Sequence, residues 1–185
     1  MTVNNSIDSK QNLGSNSTPS FTGLNLGGPY SNSGQPAFYA YSDSVINNVT
    51  GDGTDYTVIF NTEFFDQANN YDGNTTFTAG QTAIYHFDVC IKLGQLTALY
   101  TSGFVSLIVT SGGTNQVLRL FDGNPGVIRD ISGNLVLIGS VTTRLVANDT
   151  VTVQLTISGS TKDIDLSGSA INIGNQSSFS GFLIC

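Results

Sequence analysis

An all-β domain of two packed sheets is the fold class this sequence predicts, and three observations carry it. From residue 36 onward, short runs of Phe, Tyr, Val, Ile, Leu and Thr are broken by Gly, Asn and Asp at intervals of about 8–12 residues, the spacing of a sandwich or barrel. One run alternates without a fault: Tyr85, Phe87, Val89, Ile91 and Leu93 against His86, Asp88, Cys90 and Lys92, the period of two of a strand with one buried side. No helical period of useful length occurs. So many sequential strands exceed one flat sheet, so they close into two packed sheets or a barrel.

Each element follows in order. Residues 1–34 have almost no apolar periodicity and are rich in Asn, Ser and Gly, a composition that cannot build a core by itself. The head domain is expected over residues 35–185. Phe38, Tyr39 and Tyr41 open the first strand; residues 57–60 form the next after the turn GDGTD; and Phe64 and Phe65 lead into QANNYDGN, where Asn-Asn and Asp-Gly mark a reversal. Residues 77–93 read as a single long strand. Strands follow at 104–110, 116–121, 135–145 and 151–157, separated by a Gly-Gly turn, a DGNPG turn and the turn at residues 147–149. A last strand closes the chain at 179–185.

Composition excludes several function classes. Charged residues make up 10% of the 185 residues, against about 25% in an ordinary globular protein, and the formal charge is −7 with six scattered Lys and Arg. No basic patch exists to neutralise phosphates, so no nucleic-acid partner is expected. No apolar run approaches the roughly 20 residues that span a bilayer, so no membrane insertion is expected. Two cysteines do not make a disulfide framework.

Several segments resemble one family at matching spacings over residues 36–185: PAFYAY, then VIFNTEFFDQANNYDGNTTFTA, IYHF, TRLVANDTVTVQL and finally FSGFLI. The chain resembles the C1q/TNF-like jelly roll. Gly80 and Ala83 depart from the Pro and Gly usual there, and Asn148 replaces a favoured Gly, a mild change because Asn tolerates left-handed turn geometry. In the N-terminal segment, Pro19, Phe21, Leu24 and Leu26 resemble a short repeat of phage tail fibres and other trimeric surface fibres.

The resemblance implies a homotrimer in which one sheet of each subunit faces the threefold axis. On that reading Ile84, His86, Asp88 and Cys90 lie on the axis side. Period-two counting along the closing strand then adds Phe179, Leu183 and Cys185 to that side and sends Phe182 and Ile184 to the core. The resemblance also sets the closing strand antiparallel beside residues 85–93, which keeps Cys90 and Cys185 apart and both thiols free. The implied function is recognition: a fibre-tip head on a virion, a cell surface or an extracellular fibre, binding a glycan or protein receptor through turns. The turn residues best placed are Asn69, Asn70, Tyr71, Asp72, Asn115, Asp122, Asn124 and Lys162, with Tyr71 as an exposed aromatic platform for a sugar ring. The alternatives are a capsid or spike building block without a host receptor, and a TNF-like signalling ligand.

Catalysis and metal binding are weighed against these. His86 and Asp88 form the one close pairing of imidazole with carboxylate, on one side of a strand about 7 Å apart. With no pocket motif, no enzyme is expected. No cofactor is expected either, although three copies of His86 at a threefold axis could hold a metal, and Asp52 and Asp55 could offer oxygen ligands to calcium.

Overall fold

The computed structural model describes residues 34–171 and 176–184. The resemblance of the N-terminal segment to fibre repeats, and Cys185, lie outside these residues. The strands are β1 (Ala37–Tyr41), β2 (Ile46–Thr50), β3 (Asp55–Thr57), β4 (Thr62–Asp66), β5 (Thr76–Thr78), β6 (Ala83–Gly94), β7 (Ser102–Ser111), β8 (Thr114–Gly123), β9 (Leu135–Leu145), β10 (Thr150–Ser158), β11 (Ile164–Leu166) and β12 (Ser178–Leu183). A single helical turn, α1 (Pro125–Ile128), occupies the predicted DGNPG turn; Pro125 opens it and the Asn124 side chain accepts a hydrogen bond from the Val127 amide.

Two antiparallel sheets result. In the first, β9, β6, β12, β1 and β4 lie side by side, with β11 and β2 continuing the sheet beyond the end of β12. The second runs β3, β10, β7, β8, with β5 also on β10. The run 77–93 is therefore two strands. Residues 79–82 carry the chain across the sandwich, so that β5 pairs with β10 and β6 with β9 and β12. The short strands β2 and β11 were not foreseen: INNVT and IDL have too little alternation to read as strands alone.

The core lies between the sheets. Tyr85, Phe87, Val89, Ile91 and Leu93 are 0–2% exposed, as the alternation predicts, and face Val151, Val153, Leu155 and Ile157 of β10. Phe38 stacks on Tyr71 and Phe77 at ring-centroid distances of 5.1 and 5.2 Å and meets Phe179 edge-on at 4.9 Å. Each such ring contributes about 1.5–3 kcal/mol by burial, with a smaller increment from ring geometry.

The register assigns the turns to two ends. Ala37 pairs with Phe182, and Tyr85 pairs with Leu183. The domain's first and last described residues thus share one end, the near end, with the turns at 67–74, 111–114 and 146–149. The turns at 42–54, 95–101, 123–134 and 159–163 lie at the opposite, far end.

Candidate functional site

The outer face of β6 carries Ile84, His86, Asp88 and Cys90, as expected. His86 Nε2 lies 3.2 Å from Asp88 Oδ1, and Nδ1 lies 2.9 Å from Thr142 Oγ1 on β9. The Phe182 ring sits 5.2 Å from the imidazole, across from it on β12. His86 is one-quarter exposed and Asp88 about half. Burial pushes the Cys90 thiol up from its ordinary range, with Lys92 opposing, so the sulfur is a poor nucleophile.

The closing strand corrects the sequence reading. Phe179 opposes Val89 and is fully buried among Phe38, Phe60 and Phe87, while Leu183 opposes Tyr85 and packs against the core. Phe182 and Ile184, assigned to the core, are each 47% exposed. Gly181 explains the inversion. A Cβ there would sit 2.5 Å from Phe87 and 2.9 Å from Phe38, so this position faces the core and is empty because two rings fill the space. Glycine leaves no mark in a hydrophobic pattern, and counting from it reverses the faces.

The same outer face extends beyond β6. Val136 and Ile138 on β9 are 50% and 77% exposed, opposite Lys92 and Cys90. On β1 and β4, Tyr39, Tyr41, Phe64 and Phe65 line an open apolar cleft of about 320 Å³, and Phe64 is 68% exposed. These residues escaped the sequence reading. The signal was present in LVLI at 135–138, where apolar residues occupy both faces, the pattern of a strand buried on two sides.

The turn residues divide between the two ends. Asn69, Asn70, Tyr71 and Asp72 lie at the near end with Asn115, while Asp122, Asn124 and Lys162 lie at the far end. Tyr71 is no platform. It is 6% exposed, stacks on Phe38 and donates its hydroxyl to the Phe60 carbonyl at 3.1 Å, while burial pushes its pKa well above the usual phenol range. Asn70 donates to the Thr78 carbonyl, and Asp72 accepts three amide hydrogen bonds from residues 74–76. Asn115 accepts from the Thr110 hydroxyl, and Asn124 caps α1. Lys162 is exposed.

Two chemical readings are constrained by geometry. Thr142, His86 and Asp88 have the order of a nucleophile, base and orienting acid. They stand on an open sheet surface, where the amides of β6 and β9 pair across the ladder rather than converging on a reacting oxygen, so the contacts orient the imidazole. For calcium, the Asp52 carboxylate accepts from the Thr54 amide and Asp55 from the Thr156 hydroxyl, and no three His, Cys, Asp or Glu side chains cluster among the described residues.

No family model matches the sequence, and no curated protein is significantly similar to it. Solved structures do match the fold. The globular domain of zebrafish complement 1qA protein superposes with a TM-score of 0.54 at 20% identity, covering 82% of this chain and 98% of that one. Murine APRIL, in a crystal structure at pH 8.5, superposes with a TM-score of 0.56 at 10% identity, covering 81% and 99%. At these identities the likeness concerns the fold, and the fold is the C1q/TNF-like jelly roll.

Proposed function

We propose that this domain is the homotrimeric recognition head of a fibre on a virion or cell surface, binding a receptor on another cell or particle through its far-end turns. One observation carries the assembly: the outer face of the β9-β6-β12-β1-β4 sheet exposes Ile138, Phe182, Ile184, Phe64 and Phe65 in a single chain, with Tyr39 half-buried beside Phe64. Exposed apolar side chains gathered on one sheet face mark an interaction site, and among the polar groups interspersed with them His86 pairs with both Asp88 and Thr142. The jelly-roll fold supports closure about a threefold axis. Trimerisation then multiplies weak contacts through avidity, so each subunit needs only modest affinity.

The far end supports the recognition half of the reading. The described residues begin at the near end, so the turns at 95–101, 123–134 and 159–163 lie at the end opposite to residue 34. The test is light scattering at micromolar concentration. Wild-type protein is expected at three times the mass of one chain and Phe182→Asp at the mass of one. A wild-type monomer refutes the trimer.

A further inference from the structure

On two neighbouring far-end loops, four aliphatic side chains take no part in the core. Leu99 is 62% exposed, Val127 75%, Ile128 50% and Ile131 fully exposed. They stand on two loops that are locked together. The Gly126 amide donates to the Tyr100 carbonyl at 2.8 Å, and Arg129 crosses from one loop to the other, its Nε donating to the Leu96 carbonyl at 3.1 Å and its Nη1 to the Gly126 carbonyl. Gly133, at φ +80°, lets the returning chain press against Leu96, where a Cβ would meet the carbonyl oxygen at 2.6 Å. Asp130 folds the tip by accepting from the Ser132 and Asn134 amides. Ile131 is therefore held out by a built loop, and its ordering cost is met before any partner arrives.

The charges around these residues select the partner. Asp122, Asp130 and Asp163 are exposed here and Lys162 is the exposed cation, while the Arg129 guanidinium is engaged by the two carbonyls. The Asn134 amide, with other donors of the loop, holds the Asp130 carboxyl below the usual carboxylate range. An ionised group beside Ile131 opposes entry of that tip into hydrocarbon and repels anionic lipid or glycan. Aliphatic side chains also lack the flat faces and convergent polar groups that hold a sugar.

We propose that Leu99, Val127, Ile128 and Ile131 form the receptor-contacting crown of this domain, and that its partner is a protein surface with an apolar pocket rimmed by Lys or Arg. This rests on the recognition reading and makes it specific: apolar anchors supply affinity and the acidic surround supplies orientation. The test uses the full chain with defined probes immobilised for surface plasmon resonance: amphipathic helical peptides of Leu/Lys, Leu/Glu and Ser/Lys composition, phosphatidylcholine vesicles, and a neutral glycan array. The Leu/Lys peptide is expected to bind best, and Ile131→Asp or Val127→Asp is expected to weaken it by about tenfold or more, the effect of losing a central anchor. Light scattering and circular dichroism should remain unchanged, since neither side chain packs in the core. Equal binding of the Ser/Lys peptide, undiminished binding by both variants, or preferential binding to the vesicles overturns the crown. Glycan binding shared by wild type and Ile131→Asp, without peptide binding, also overturns it while leaving the recognition reading intact. Silence on every probe counts against both.

Discussion

Gly181 and Tyr71 show how single positions decide this fold. Gly181 faces two core rings across 2.5 and 2.9 Å of would-be Cβ contact, and Phe87 and Phe38 are 0% and 1% exposed, so neither can retreat into solvent. Gly181→Ala is expected to destabilise the domain by about 1–3 kcal/mol through overpacking, read as a lower urea midpoint at fixed protein concentration. An unchanged midpoint would mean that the closing strand has room the structure does not show. Tyr71 is an aromatic in an Asn- and Asp-rich turn, which reads as surface, yet its ring completes the stack on Phe38. Removing its hydroxyl in Tyr71→Phe leaves the ring in place and breaks the bond to the Phe60 carbonyl, at an expected cost of about 1 kcal/mol. Local composition could not reveal this, because the partner ring lies 33 positions earlier in the chain.

Among the elements, β6 was the most legible: its alternation alone assigned five core residues and the four outward ones correctly, because period two is a local property. Its beginning was misread, since nothing in FTAGQTAIYHF announces that residues 79–82 leave one sheet for the other. The turn after β4 carries a pH dependence. Burial pushes the Asp72 carboxyl up, but the amides of Thr76, Thr75 and Asn74 outweigh it, so its pKa falls below the ordinary 3.8. The Asn61 side chain acts the same way on Asp43, and the Asn134 amide on Asp130. A depressed carboxylate contributes stability that is intact above its unfolded value and lost as pH falls through the folded one. Urea midpoints are thus expected to be flat down to about pH 4 and to fall below it, with a shallower fall in Asp72→Asn. A midpoint that rises on acidification would contradict these hydrogen bonds.

For the whole molecule, the two apolar surfaces make separable predictions. Ile138 lies on the sheet face and Ile131 on the far-end loop. Ile138→Asp is expected to abolish the trimer and, with it, the rise of Tm with protein concentration that accompanies assembly. Ile131→Asp should leave both unchanged. If Ile138→Asp remains trimeric, the subunits meet through another surface and the sheet face needs a different partner. By itself, the sequence determined that the chain is all-β, where the long strands β7, β8, β9 and β10 lie, and which side of β6 is apolar, because alternation and turn chemistry act over a few residues. Tertiary structure alone decided which face the closing strand turns inward and which turns share an end. Those depend on pairing between residues as distant as Phe38 and Gly181, and a glycine that makes room for a neighbour's ring has no side chain through which a sequence could report it.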